Sequence, residues 1–226
     1  MSGFVLGVLS SLVATGLTVL AGWIGSRRIR RWTMLLLSRA TGLGIDRVYA
    51  QQRAANADLA TDLSQAKWVR VLAGRGNELT RDSFQQLWHG ANTKLEFVQI
   101  LLPDPDPGPG SWLTERALEI RRHDPGFSAD LLADQVQSNI QYLDAVANQR
   151  KEVSLRLYDL PHLGRIVITD RVAYVTLYSA GGHGRNSMCL VFTCPSPTYD
   201  FAVRIFTTAW NRATPVTASS AHVNHV

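Results

Sequence analysis

An uncharged apolar segment opens the sequence. Residues 2–26 read SGFVLGVLSSLVATGLTVLAGWIGS, and none of them carries a charged side chain. About 20 apolar residues in a helix, each rising 1.5 Å, are enough to cross roughly 30 Å of hydrocarbon. The sequence therefore predicts one membrane-spanning helix over residues 1–26, and everything after it is expected to fold beside a bilayer.

Arginines follow this segment directly. Residues 27–31 read RRIRR, whereas no basic residue precedes the apolar run. A cleaved signal peptide carries its positive charges before its apolar part, so the order favours an uncleaved anchor. Basic flanks stay on the cytoplasmic side of a membrane. We therefore expect a single-pass protein of the cell membrane, with the N-terminus outside and the folded part in the cytoplasm.

Positive charge is concentrated beside the apolar segment. Residues 1–66 hold seven arginines and three aspartates, a net charge of +4, out of +5 for the whole chain. This distribution favours contact between Arg27–Arg31 and anionic lipid headgroups. It argues against a broad basic face that neutralises many phosphates, so no binding of double-stranded nucleic acid is expected.

Residues 27–66 are rich in Ala, Leu, Arg and Gln, which favour helix. Gly42 and Gly44 are expected to interrupt it once. The pattern predicts a basic juxtamembrane helical stalk. A second interpretation places a helix on the membrane surface around Met34–Leu37, because a short apolar patch beside an arginine cluster suits the interface.

From Lys67 onward, stretches typical of strands alternate with stretches typical of helices. A hairpin turning at Asp170 and Arg171 replaces a helical crossover late in the chain. This order predicts an α/β fold with a mixed sheet over residues 67–213, followed by a disordered tail over 214–226. A chain of 226 residues with 46% hydrophobic content suits one such core. The predicted strands cover 67–74, 95–103, 152–159, 165–178 as a hairpin, and 188–193; the predicted helices cover 80–92, 111–123, 128–149 and 198–212.

The stretch VSLRLYDLPHLGRIVITDRVAYVTLYS, residues 153–179, resembles one repeat of the phospholipase D superfamily. The signature of that family is His-x-Lys-x-x-x-x-Asp, placed on a strand before a hairpin. Arg165 matches the lysine and Asp170 the aspartate, but Leu163 stands in the histidine position. The resemblance implies a phospholipase D-like α/β domain with a degenerate motif. Because superfamily enzymes bring two repeats together, it also implies a homodimer of this single-repeat chain.

His162 lies one position too early to replace the missing histidine. Side chains alternate along a strand, so residues 162 and 165 would point to opposite faces. A bulge at Gly164 would realign them, since an extra residue changes the direction of the following side chains. If the chain is catalytic, the candidate catalytic residues are therefore His162, Arg165 and Asp170. If the motif is degenerate and the chain is non-catalytic, there is no catalytic residue.

Two glycine-rich loops carry polar side chains suited to phosphate. GRGN contains Arg75 and Asn77, and GHGRN contains His183, Arg185 and Asn186. Glycine-rich backbone together with arginine can surround an anion. With Arg165, these residues form the predicted ligand site. A zinc site formed by His162, His183, Cys189 and Cys194 is a further possibility, but their spacing does not resemble a metal knuckle. Neither a metal nor a cofactor is therefore expected.

These observations leave three functional interpretations. The favoured one is a membrane-anchored, non-catalytic phospholipase D-like sensor or effector that binds a nucleotide or other phosphate-bearing ligand, or a partner, in the cytoplasm. The second is an active membrane-bound phosphodiesterase, either a nuclease or a phospholipase, that uses His162. The third is a structural membrane adaptor.

Overall fold

The structure is a computed structural model that describes residues 15, 27–90, 92–106, 108, 110–122, 124–161, 163–178 and 184–216. It comprises two units, Met1–Leu43 and Gly44–Val226. Apart from residue 15, the predicted membrane span lies outside the described residues. Within the described part of the chain, no helix combines the length and the apolar character that crossing a bilayer requires.

The described part of the first unit is helix α1, Arg27–Thr41. It ends where Gly42 adopts a φ of +70°, a left-handed conformation that terminates helices and that glycine adopts without steric cost. Several large apolar side chains of α1 are exposed, among them Trp32 at 68%, Leu36 at 57% and Leu37 at 62%. The helical prediction is thus correct for residues 27–41.

The second unit is built on an eight-stranded mixed sheet with the order β1-β7-β6-β5-β2-β3-β4-β8. The β2–β3 and β3–β4 pairs are parallel, and the remaining pairs are antiparallel. The strands are β1 Ile45–Tyr49, β2 Trp68–Leu72, β3 Phe97–Pro103, β4 Val153–Tyr158, β5 Gly164–Thr169, β6 Val172–Leu177, β7 Met188–Thr193 and β8 Thr214–Pro215. The helices are α2 Asn56–Ser64, α3 Gln85–Trp88, α4 Trp112–Arg121, α5 Ala129–Gln149 and α6 Pro197–Arg212. The predicted mixed-sheet α/β domain is confirmed at this level.

Helices cover both faces of the sheet. Alternation along β5 places Val167 in the core shared with α2, α3, α4 and α5, and Ile168 in the core shared with α6. Leu143 of α5 and Phe206 of α6 are fully buried on their respective sides. The unit therefore has three layers, and Arg165, two residues before Val167, belongs to the face covered by α2–α5.

The predicted stalk is wrong beyond residue 44. Residues 45–49 form β1, which pairs with β7, and Leu59 and Leu63 of α2 are buried in the main core. Arg47 of β1 lies 3.0 Å from the carboxylates of both Asp58 and Asp62 on α2. Local composition favoured helix here, but pairing with a strand more than 100 residues away overrides local propensity. The domain therefore includes Gly44 onward rather than beginning at Lys67.

Three other predictions can be compared with the structure. The hairpin turn at Asp170 and Arg171 is confirmed. Helix α5 begins after Ser128, whose hydroxyl accepts from the backbone N–H of Leu131 at 3.1 Å. The helix predicted over 80–92 shortens to a 3-10 turn at 82–84 followed by α3. The predicted tail begins with β8, which pairs with β4. The rest of that tail, from residue 217, lies outside the described residues.

Candidate functional site

A cavity of about 460 Å³ lies beside the start of β5 on the face covered by α2–α5. Its walls come from the loop after β2, the 3-10 turns at 52–55 and 184–186, helices α4 and α5, and the residue that follows β6. Six arginines and one carboxylate, that of Glu78, line it, so the described lining has a net charge of +5. The arginines are Arg53, Arg75, Arg81, Arg116, Arg165 and Arg185.

The loop after β2 is fixed by hydrogen bonds to α5. The side-chain amide of Asn139 donates to the Arg75 carbonyl oxygen at 2.8 Å and to Oδ1 of Asn77 at 2.5 Å. Gly76 in this loop has a φ of +83°, and a Cβ there would lie 3.0 Å from a Leu102 methyl group. The backbone therefore needs glycine at this position, and the loop presents Arg75 and Asn77 to the cavity in a defined conformation.

Arg165 is a buried cation that has an ion pair, but no well-aligned hydrogen bond, among the described residues. It pairs in register with Thr176 of β6 and is only 4% exposed. None of its three side-chain nitrogens has a hydrogen-bond partner among the described residues. Burial lowers the pKa of Arg165 because the charged form loses its hydration. A guanidinium carries five N–H donors, and donors left unsatisfied in the interior are costly, so this side chain is suited to an anion entering the cavity.

A carboxylate of the chain itself stands in front of Arg165. The Glu78 carboxylate contacts the Arg165 guanidinium as an ion pair. Both Glu78 oxygens accept from the side-chain amide of Gln52, at 2.9 and 2.8 Å. Gln52 is itself 2% exposed and its backbone N–H donates to the Ser187 carbonyl at 2.8 Å. Glu78 is therefore held in place by Gln52 and pairs its negative charge with Arg165.

Three arginines converge on Tyr178 at the inner end of the cavity. The guanidinium of Arg116 lies 5.8 Å from the centre of the Tyr178 ring. Burial raises the pKa of Tyr178, while the charges of Arg165, Arg116 and Arg75 act in the opposite direction. The pKa of Arg75 is lowered first by burial and then by the charge of Arg116. Because like charges at close range destabilise one another, this cluster favours the arrival of an anion.

The predicted ligand residues are partly brought together. Arg75, Asn77, Arg165 and Arg185 line the same cavity. Asn186 is exposed and lies outside the described lining. The two predicted histidines, His162 and His183, lie outside the described residues.

Asp170 lies at the far end of β5 from Arg165. Its carboxylate accepts from the backbone N–H of Lys67 at 2.9 Å. The two residues are five positions apart, which is roughly 16 Å at the usual rise along a strand. Asp170 therefore links the hairpin turn to the segment before β2, and its candidacy as a catalytic residue in this cavity is not supported by the described geometry.

There is no β-bulge at Gly164 where β5 pairs with β6. Gly164 pairs with Leu177 and Arg165 with Thr176 in an uninterrupted antiparallel register. Glycine occurs at this position for a different reason, because a Cβ would lie 2.4 Å from the Thr176 carbonyl oxygen. Leu163, which stands in the family's histidine position, is 76% exposed. The regular register removes the proposed means of aligning His162 with Arg165.

Several cavity residues were not predicted. Gln52 and Arg53 lie in the predicted stalk, and Arg116 lies in the helix predicted over 111–123, with no site role assigned to any of them. Glu78 directly follows the predicted GRGN loop, so its position next to that loop was the one available signal.

The two cysteines of the zinc alternative differ in exposure, because Cys189 is buried and Cys194 is exposed. No cluster of three or more His, Cys, Asp or Glu side chains within the described ranges could hold a metal ion.

Comparison with known proteins gives weak structural likenesses. No protein-family model matches the sequence, and neither does any curated protein. Among solved structures, the chain is similar to TrmBL2, an archaeal chromatin protein described for its mode of DNA binding, with a TM-score of 0.48 and 13% identity over 93% of this chain and 71% of that one. It is also similar to Nuc from Salmonella typhimurium, a phospholipase D family member, with a TM-score of 0.40 and 12% identity over 75% of this chain and 95% of that one.

A third similar structure is the phosphatidylserine synthase of Haemophilus influenzae, with a TM-score of 0.49 and 15% identity over 75% of this chain. The match covers 38% of the synthase. Phospholipase D-like proteins are thus among the structural neighbours, but at TM-scores below 0.5 these likenesses carry no argument about activity. What this cavity does must follow from its own residues.

Proposed function

We propose that this chain is a membrane-anchored, phospholipase D-like sensor or effector module that binds a phosphate-bearing ligand in its arginine-lined cavity and does not hydrolyse it. The observation that carries the proposal is Arg165, a buried guanidinium whose Nε and Nη2 have no partner among the described residues and whose side chain opens onto a cavity of net charge +5. Arginine pairs with phosphate through charge-assisted hydrogen bonds that are stronger than neutral ones.

The absence of turnover is proposed from the kinds of side chain that face the cavity. Within the described lining there is no imidazole, thiol or aliphatic hydroxyl. Tyr178 is the one described lining residue with an acidic hydroxyl, and burial raises its pKa, which disfavours the nucleophilic phenolate. Phosphoryl transfer through a covalent intermediate needs an activated nucleophile next to a proton donor. The alternative, an active phosphodiesterase, depends on His162.

A hydrolysis assay separates the two interpretations. The full chain in detergent is expected to release no nitrophenol from bis(4-nitrophenyl) phosphate above the buffer rate, and the His162→Ala variant is expected to behave identically. Both proteins should still bind inorganic phosphate in a titration, since Arg165 is unchanged. Hydrolysis by the parent that is lost in His162→Ala would overturn the non-catalytic proposal and establish the enzyme interpretation.

Membrane anchoring is proposed from the apolar run and the arginines that follow it. The exposed Trp32, Leu36 and Leu37 of α1 support contact of this helix with an interface, because apolar side chains beside arginines suit the headgroup boundary. The cytoplasmic position of the domain follows from the positive-inside rule. A homodimer and the lack of double-stranded nucleic acid binding stay predictions.

Labelling of intact cells tests the orientation. In a Cys194→Ser background, which removes the exposed native thiol, a cysteine at position 2 should react with an impermeant maleimide added outside. A cysteine at position 219 should react only after lysis. The reverse pattern, with position 219 labelled in intact cells, would place the domain outside and contradict the proposal.

A further inference from the structure

The cavity arginines fall into two sets that differ in burial. The inner arginines are Arg75, Arg116 and Arg165; Arg116 is 9% exposed, Arg165 is 4% exposed and Arg75 is half-buried. The rim arginines are Arg53, Arg81 and Arg185, all of them exposed. Both sets line the same cavity, so one bound molecule can reach both.

The inner set is already partly neutralised. Arg165 has the Glu78 carboxylate beside it, and Arg116 forms an ion pair with Glu119. Three guanidinium charges against two carboxylates leave a net charge of +1. One phosphate group, with a charge between about −1 and −2 near neutral pH, is therefore enough for the inner set.

The rim set has no carboxylate partner among the described residues. The Arg53 guanidinium donates to the side-chain oxygen of Gln51 at 2.7 Å, and that of Arg81 to the Asn77 carbonyl at 3.0 Å. These acceptors are neutral, so the rim keeps three positive charges within the described structure. A ligand that placed its negative charge only against the inner arginines would leave the three rim charges without a counter-charge.

Loop geometry connects the two sets. Arg75 and Arg81 belong to one segment that follows β2, and the Asn77 carbonyl between them holds Arg81. Asn77 is in turn fixed to α5 through Asn139. The segment therefore presents an inner and a rim arginine in a defined relation. The cavity volume of about 460 Å³ lies in the range of small-molecule sites, which is more space than a single phosphate group fills.

We infer that the ligand carries at least two linked phosphate groups, one bound by the inner arginines and the next by the rim arginines. The ligand class is thus a diphosphate or a longer phosphate chain rather than a monophosphate. This inference rests on the proposed function, and it adds the number and order of the phosphate groups. Hydrogen bonds between guanidinium and phosphate oxygens would supply the contact at both positions.

The test is a calorimetric titration of the full chain in detergent, at fixed ionic strength because exposed charges are screened by salt. Inorganic pyrophosphate is expected to bind at least about tenfold more tightly than inorganic phosphate, since a charge-assisted hydrogen bond contributes on that scale. The triple variant Arg53→Gln, Arg81→Gln, Arg185→Gln should lose this preference, so that it binds pyrophosphate and phosphate with affinities within about twofold of each other.

A charge-matched control is Arg122→Gln, Arg204→Gln, Arg212→Gln, which removes three exposed arginines that do not line the cavity. This control should retain the preference for pyrophosphate. If phosphate and pyrophosphate bind equally to the parent, or if both triple variants lose the preference alike, the inference is overturned and the proposed function stands. If neither anion binds the parent, the proposed function itself fails.

Discussion

Replacing Arg165 with alanine is expected to weaken the binding of inorganic phosphate by roughly ten- to a hundredfold, the equivalent of about 1.5 to 3 kcal/mol for a charge-assisted contact. The guanidinium is buried, faces the cavity, and has no partner for its Nε and Nη2 among the described side chains and backbone. Its removal also leaves the Glu78 carboxylate without the cation beside it, so an incoming anion meets an uncompensated negative charge. Calorimetric titration of the full chain measures the loss.

Arg70 offers a matched control for Arg165. It lies on the neighbouring strand β2, where it pairs with Ile168, and its guanidinium lies over the ring of Trp68 at 5.0 Å on the face covered by α6. Arg70→Ala removes a strand arginine of the same size that does not line the cavity, and phosphate affinity should not change. Thermal unfolding of both variants verifies that each is folded. Equal weakening by the two substitutions would mean that Arg165 acts through general charge and not as a contact.

Replacing Glu78 with glutamine is expected to tighten phosphate binding by roughly tenfold. The carboxylate competes with an entering anion for Arg165 and repels it, and the amide has nearly the same shape without the charge. The side-chain amide of Gln52 can still donate to the remaining carbonyl oxygen at position 78, so the side chain should keep its place. The same titration, at low and at high salt, measures the gain and how much of it is electrostatic.

The control for Glu78 is Glu152→Gln. The Glu152 carboxylate is also paired with an arginine, Arg150, but it lies away from the cavity lining. This variant should bind phosphate as the parent does. Weaker binding by Glu78→Gln would instead show that the carboxylate is needed to orient Arg165, and the competition described here would be wrong.

Periodic patterns predicted the parts of the fold that depend on local spacing. Apolar residues at spacings of three and four predicted α5, and a turn at Asp170 and Arg171 between two β-rich runs predicted the β5–β6 hairpin. The strand β1 could not be predicted in this way. Its residues form a strand because β7 lies beside them, and a pairing over that sequence distance leaves no local signature.

The site was predictable where a residue's strand and face could be read from the sequence. Arg165 was predicted from its place in the motif before the hairpin, and Arg75 from its position after β2 in a glycine-rich loop. Arg116 and Gln52 reach the cavity through packing of α4 and of the segment after β1, and no spacing rule connects them to Arg165. Glu78 illustrates the same limit, because its contact with Arg165 joins residues 87 positions apart.

The most direct test of the central claim is to locate a bound anion. Crystals of the full chain soaked in tungstate, a heavy analogue of phosphate, should give an anomalous peak inside the cavity, within hydrogen-bond distance of the Arg165 guanidinium. The Glu78 carboxylate should have moved away from Arg165 in the same crystals. A peak elsewhere on the chain, or none while Glu78 still occupies its place beside Arg165, would contradict the assignment of this cavity as a phosphate site.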